Sequence, residues 1–152
     1  MSVITGYLTP RLFDIWDMRR TGLLQSDIAV KLGISRQAVN QALLEATEKV
    51  TKALTEAAMI NKLAVESIDS TTGLLTGWSR EFSVKAVVSV TKRDGMQVWY
   101  EHVADCAPCN KYSACQAYLF RFASERNIKL TKSQKKLPPS KLAKSLLGMN
   151  EN

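Results

Sequence analysis

All three cysteines of this chain and its single histidine fall within one segment, His102-Val103-Ala104-Asp105-Cys106-Ala107-Pro108-Cys109-Asn110-Lys111-Tyr112-Ser113-Ala114-Cys115. The spacing is His-x3-Cys-x2-Cys-x5-Cys. A Cys-x2-Cys pair around a proline makes a tight turn that can aim two sulfurs at one point. Cys115 is expected at the start of a helix, where a thiolate is favoured. Three thiolates and one imidazole make a complete tetrahedral zinc set, with Cys106, Cys109, Cys115 and His102 as ligands. Such a site would tie the preceding strand to the following helix and contribute directly to folding. The same thiolates can hold a 4Fe–4S cluster, with His102, Asp105 or an outside group as fourth ligand, and would then sense redox state. Two further readings stay open. Cys106 and Cys109 could form a reversible disulfide with Cys115 in reserve, or the cysteines could be small buried apolar residues beside an incidental histidine.

A second set of residues has the chemistry to read base edges. Ser35, Arg36, Gln37, Asn40 and Gln41 occupy the first turns of an expected helix. Arginine pairs with guanine, and asparagine or glutamine with adenine, through two hydrogen bonds each. The first turn of a recognition helix is the part that enters the major groove. The plain alternative is a polar, solvated helix face.

The elements that must position these side chains follow from local pattern. Thr9-Pro10 opens a first helix, with threonine as cap and proline at the first helical position. Leu12, Phe13, Ile15, Trp16 and Met18 supply its core face, and Arg19-Arg20-Thr21-Gly22 ends it. Ser26 is expected to cap a short second helix that buries Ile28, Ala29 and Leu32. Gly33 supplies the sharp turn, and Ser35 caps the next helix, which buries Ala38, Val39, Ala42 and Leu43. This is a helix-turn-helix pattern. No Gly or Pro interrupts the chain from Ser35 to about Ala64, and Ala46, Val50, Ala53, Leu54, Ala57, Ile60 and Leu63 continue an apolar stripe. A helix of that length must bury its second half against a second copy of the chain or against the C-terminal part. A break near Glu45–Lys49 is the alternative.

From residue 65 the pattern changes to β-rich runs. Val65–Ile68 alternates, Ser70–Gly73 reads as a turn, and Leu74–Trp78 is a strand or an irregular link. Phe82–Val90 is the clearest strand. Lys92-Arg93-Asp94-Gly95 is a hairpin turn with Asp-Gly at its tip, and Met96–His102 is the returning strand. Ala114 to about Arg126 reads as a helix packing Ala117, Tyr118, Leu119, Phe120, Phe122 and Ala123. A basic run, Lys129, Lys132, Lys135 and Lys136, precedes a last short helix over Ser140–Leu147, stopped by Gly148.

Composition narrows the function classes. The 152 residues are 45% hydrophobic, enough for one good core or two small ones. The net charge is +7, of which residues 126–152 carry +6, a distribution suited to a polyanion or to a solvated tail. No stretch approaches the roughly 20 apolar residues that span a bilayer. Residues 1–6 lack the charged and apolar regions of a leader, so a cytoplasmic protein without membrane association is expected. An odd cysteine count speaks for thiols or metal ligands rather than a disulfide framework. There is no Gly-rich phosphate loop and no paired-carboxylate motif. The enzyme alternative, Cys106 as nucleophile with His102 as base, has no orienting carboxylate besides Asp105, and the chain reads as not an enzyme.

Leu8-Thr9-Pro10-Arg11, Arg20-Thr21-Gly22, Gln25-Ser26-Asp27-Ile28-Ala29 and Ser35-Arg36-Gln37-Ala38-Val39 together resemble the archaeal Tfx-type regulators. More loosely they resemble the sigma-factor region that reads the −35 element and the LuxR-type DNA-binding domain. The resemblance covers roughly residues 8–60. It implies a four-helix DNA reader whose third helix enters the major groove, with Ser35, Arg36, Gln37, Asn40 and Gln41 on the DNA side.

The expected whole is an α+β protein. Residues 1–62 form an all-α helix-turn-helix domain with a long linking helix. Residues 63–152 form a small antiparallel-sheet-plus-helix domain for sensing or dimerisation, carrying the cysteine cluster and the basic tail. The expected function is sequence-specific transcription regulation on double-stranded DNA as a homodimer. Ser35, Arg36, Gln37, Asn40, Gln41, Gln25, Ser26, Lys31 and Arg20 are the DNA-side residues, Arg11, Arg19 and the tail supply further phosphate contacts, and zinc or an iron–sulfur cluster is the cofactor. The alternative is an adaptor whose helical domain binds another regulator or the transcription machinery.

Overall fold

The computed structural model describes residues 7–102 and 105–149. Residues 1–6, read above for a leader, and Val103 and Ala104 of the cysteine segment lie outside the described residues. The element order is α1 (Pro10–Arg20), α2 (Gln25–Leu32), α3 (Arg36–Ile60), β1 (Leu63–Asp69), β2 (Leu74–Ser79), β3 (Val84–Thr91), β4 (Gly95–Tyr100), α4 (Tyr112–Glu125), α5 (Lys132–Lys135) and α6 (Pro139–Leu146). The strands form one antiparallel sheet in chain order, β1-β2-β3-β4.

Three helices open the chain. Thr9 caps α1, its Oγ1 accepting from the Leu12 N–H at 3.2 Å, with Pro10 at the first position. Helix α2 starts two residues earlier than the sequence suggested. Leu24 occupies the cap position with no side-chain hydrogen bond, so Ser26 lies inside the first turn and does not cap it. Gly33 ends α2 at φ 65°, ψ 34°, the left-handed region where a Cβ is costly. Ser35 caps α3, its Oγ accepting from the Ala38 N–H at 3.0 Å. Ile15, Ile28, Ala29, Val39 and Leu43 form a small core among these helices. Ala38, expected inside, is exposed.

Helix α3 runs unbroken for 25 residues, roughly 38 Å at 1.5 Å per residue. It ends earlier than expected because Lys62 turns to φ 56° and Leu63 begins a strand. The second half buries Ala46, Val50, Ala53, Leu54 and Ala58. Four-residue steps from Val50 lead to Ala58 rather than to Ile60, which is 79% exposed.

This half of α3 lies on the sheet, together with α1. Leu12, Phe13, Trp16, Val50 and Leu54 share a core with Leu75, Ala86, Val88 and Val90. That core takes residues from both sides of position 62. The other sheet face, through Val87 and Trp99, packs against Tyr118, Leu119 and Phe122 of α4 and Leu142 and Ala143 of α6. Successive residues of a strand point to opposite faces, so β3 is buried on both: Ala86, Val88 and Val90 face α1 and α3, and Val87 faces α4. Ser89, the polar residue of that run, is 1% exposed and its hydroxyl pairs with Tyr118 Oη. The result is three layers, helix on sheet on helix.

The hairpins settle one open reading and depart from the sequence reading in two details. Leu74–Ser79 is a full strand, paired with β1 on one side and β3 on the other. The β3–β4 loop holds three residues, 92–94. Thr91 pairs with Gly95 at φ 69°, the left-handed position that closes a three-residue hairpin. Strand β3 begins at Val84 because Ser83 adopts φ 55°, which leaves Phe82 in the turn and 57% exposed. Among the described residues, no helix is long and apolar enough to cross a membrane.

Candidate nucleic-acid interface and cysteine loop

Helix α3 is held at its first turns by the α1–α2–α3 core and along its second half by the sheet. Its N-terminal polar face is therefore presented on a fixed element. Ser35, Arg36, Gln37, Asn40 and Gln41 are all exposed. At about 100° per residue, positions 36, 37, 40 and 41 span roughly 140° of the helix circumference. Val39 and Leu43 occupy the buried side. Lys31, in the last turn of α2, and Arg11, in the first turn of α1, are exposed as well. Gln25 and Ser26 are half-buried at the start of α2. Arg19 is half-buried, its Nη1 donating to the Leu23 carbonyl at 3.5 Å.

Arg20 differs from the rest of the expected set. Its side chain is 1% exposed. Nε donates to Asp17 Oδ1 at 2.7 Å, Nη1 donates to the Val90 carbonyl at 2.7 Å, and the guanidinium lies 4.6 Å from the Trp16 ring centroid. A phosphate contact needs the guanidinium turned outward, and here it is turned into the junction between α1 and the sheet. Sequence reasoning placed it at a helix end by position; the partners that draw it inward are distant in the chain.

The basic run after α4 is presented outward. Lys129, Lys132, Lys135 and Lys136 are exposed, while Leu137, Leu142, Ala143, Leu147 and Met149 anchor the same segment to the second core. These lysines belong to the α4–α6 layer, across the sheet from α1 and α3.

The cysteine segment links β4 to α4. The Cys109 N–H donates to the Cys106 carbonyl at 3.0 Å, closing the turn around Pro108. Cys106 is 7% exposed, and its Sγ lies 3.4 Å from Ser140 Oγ at the start of α6. Cys109 is exposed and Cys115, in the first turn of α4, is half-buried against the second core. Burial pushes the Cys115 thiol above its ordinary value, and the neighbouring Cys109 and Cys106 add to the rise, against an opposing effect from Lys111. His102 is turned elsewhere: its Nδ1 lies 2.9 Å from the Tyr100 carbonyl, and its ring is stacked on Trp99 at 6.1 Å. His102, the expected fourth ligand, thus faces Tyr100 and Trp99. Among the described residues, no three His, Cys, Asp or Glu side chains stand in a geometry that could hold a metal ion.

A feature that local spacing did not signal is a buried pair of arginines. Arg126, at the end of α4, donates through Nη2 to the Thr72 carbonyl at 3.0 Å and the Val90 carbonyl at 2.9 Å. Arg20 reaches the same Val90 carbonyl from α1. Burial, with the adjacent Arg20 acting in the same sense, lowers Arg126 to about 10.

No family model matches this chain, and no curated protein or solved structure matches it.

Proposed function

We propose that this protein is a sequence-specific DNA-binding transcription regulator that acts as a homodimer. The observation that carries the reading is the outward face of α3. A glycine turn and a serine cap lead into a helix whose first two turns display Arg36, Gln37, Asn40 and Gln41. These are the residue types that pair bidentately with purines in the major groove, at the helix end that enters it. In this reading α1, α2 and the start of α3 form the helix-turn-helix unit, and Lys31 and Arg11 meet phosphate on either side. The resemblance of residues 8–60 to Tfx-type regulators supports the same assignment. Two copies would place their α3 helices one DNA turn apart and read an inverted repeat.

The cysteine segment is the second part of the proposal. Three thiols close together in the sequence are a soft donor set suited to zinc, and alternatively to a 4Fe–4S cluster. Cys106, Cys109 and Cys115 would hold the ion, and His102 would have to leave the Tyr100 carbonyl to serve as fourth ligand. When bound, such a group would join the β4–α4 connection to the N-terminus of α6. Zinc and iron measured on protein purified without air test this part: metal bound in proportion to protein and lost in a triple Cys→Ser variant supports it, and metal-free protein overturns it.

A gel shift with random duplex DNA across a salt series separates the DNA-binding reading from an adaptor that binds another regulator or polymerase. A DNA binder shifts random duplex at low salt and loses affinity steeply as salt rises. No shift at any salt concentration would favour the adaptor.

A further inference from the structure

The junction where α1, the β1–β2 turn, the end of β3 and α4 meet encloses a cavity of about 230 Å3. Its wall is of two kinds. Leu74, Phe122, Ile128 and Leu146 make it apolar, and Arg20, Arg126 and Thr72 bring polar groups into it. Arg20 Nη2, Arg126 Nε, Arg126 Nη1 and Thr72 Oγ1 are buried there without a hydrogen-bond partner among the described residues. Buried donors on charged groups are rarely left unmet, because each costs more than a neutral one.

The carboxylates nearby are committed elsewhere or stand off. Asp17 accepts from Arg20 Nε at 2.7 Å. Glu125 Oε2 lies 3.5 Å from Arg20 Nη2 and accepts from the Lys92 N–H at 2.8 Å, while its Oε1 faces the Arg93 N–H at 3.4 Å. Arg126 has two backbone carbonyls and the Phe122 ring face, 4.1 Å away, and among the described residues no ion pair. A cation buried among apolar groups and carbonyl dipoles is the arrangement that an anion completes.

We propose that this cavity is a binding site for a small organic carboxylate, its carboxyl group between Arg126, Arg20 and the Thr72 hydroxyl and its apolar body against Leu74, Phe122, Ile128 and Leu146. A guanidinium edge matches the two oxygens of a carboxylate. The apolar end sets the rest of the ligand: an inorganic phosphate would leave it uncovered and bring more charge among apolar side chains. The volume lies below the roughly 300–1,000 Å3 of pockets for drug-sized ligands, which fits a body of one ring or a short branched chain. The ligand would bridge α1, which precedes the proposed DNA-reading helices, to α4. Asn127 Nδ2 already ties these two elements by donating to the Thr21 carbonyl at 3.2 Å. Use of the site as an effector input rests on the DNA-binding reading; its ability to bind a carboxylate does not.

The test uses the full chain without DNA, so its failure is separate from failure of the DNA reading. Isothermal titration and thermal melting are run with benzoate, isovalerate, benzamide and inorganic phosphate. Benzoate or isovalerate should bind saturably at one site per chain and raise the melting temperature, and benzamide and phosphate should not. Arg126→Met keeps the apolar stem and removes the charge. It should fold and weaken carboxylate binding about tenfold or more. Leu146→Trp fills the apolar end and should abolish binding with both arginines intact. Absence of carboxylate binding overturns the proposal. So does phosphate binding as tightly as benzoate, and so does benzoate affinity unchanged in both variants.

Discussion

The ring of Trp16 lies so close to Gly73 that a Cβ on the glycine would sit 2.7 Å from Trp16 Cη2. The indole Nε1 also donates to the Ser70 carbonyl in the same turn at 2.8 Å. The β1–β2 turn is thus seated on the first helix of the chain, and Gly73, at φ 75°, meets two demands that other residues fail. Gly73→Ala should destabilise the protein by about 2–4 kcal/mol, combining left-handed strain with overpacking. Urea unfolding checks this; a loss below about 1 kcal/mol would mean the turn can lift off the indole.

The second layer has a counterpart in Tyr118. Its hydroxyl pairs with Ser89, which is 1% exposed in the middle of β3. Tyr118→Phe leaves that serine oxygen without its partner in an apolar setting and should cost about 1–3 kcal/mol. The double variant with Ser89→Ala should recover part of this loss, because a matched apolar pair leaves nothing unsatisfied. Failure of the second change to recover stability would contradict the pairing.

Asp94 and Arg121 connect the β3–β4 loop to α4 through two hydrogen bonds of 2.9 and 2.8 Å. The bond from Arg121 holds the Asp94 carboxyl below its ordinary value, against the opposing effect of burial. A depressed carboxylate pKa contributes stability that is present above the unfolded value, near 3.9, and is lost as pH falls through the lower folded value. Wild-type stability should therefore drop below about pH 4 more steeply than that of Asp94→Asn. At pH 7 that variant should be less stable by about 1 kcal/mol, since both side chains are partly exposed. Parallel acid limbs for the two proteins would show that the pair contributes nothing.

The cysteines should separate by reactivity. Cys109 is exposed, whereas Cys115 is half-buried with its thiol raised by burial. The thiolate is the reacting form, so iodoacetamide at pH 7 should label Cys109 well before Cys115, and Cys115 labelling should accelerate as pH rises. Peptide mass spectrometry of timed samples reads both. Equal rates at pH 7 would contradict the burial of Cys115.

The parts of the fold written in short-range pattern were legible in the sequence. The Thr9-Pro10 start, the Gly33 turn, the Ser35 cap and the uninterrupted stripe of α3 each depend on residues a few positions apart, and the structure has them. The β3–β4 hairpin was legible from its β-branched run and its glycine. Details set by backbone conformation at single residues were not: Ser83 and Lys62 at positive φ move the ends of β3 and α3, and neither residue type signals it. Burial of β3 on both faces was hidden because the polar Ser89, amid its apolar run, finds Tyr118 across the sheet-to-helix gap. The Arg20–Arg126 junction was illegible for the same kind of reason. Each guanidinium is placed by carbonyls far away in the chain, at Val90 and Thr72, so Arg20 looked like an outward cationic helix end. The spacing of His102 among the cysteines did not signal its seat on Tyr100 and Trp99, which depends on how β4 ends.

Selection from a random duplex library, carried out in parallel with wild-type protein and Arg36→Ala near physiological salt, tests the account most directly. Base reading by the first turn of α3 predicts that wild type enriches one motif, arranged as an inverted repeat with half-sites about one helical turn apart. Arg36→Ala should still bind DNA and lose preference at one position of each half-site, by about 1–3 kcal/mol. No enriched motif with wild type, or the same motif at the same strength with Arg36→Ala, would contradict it.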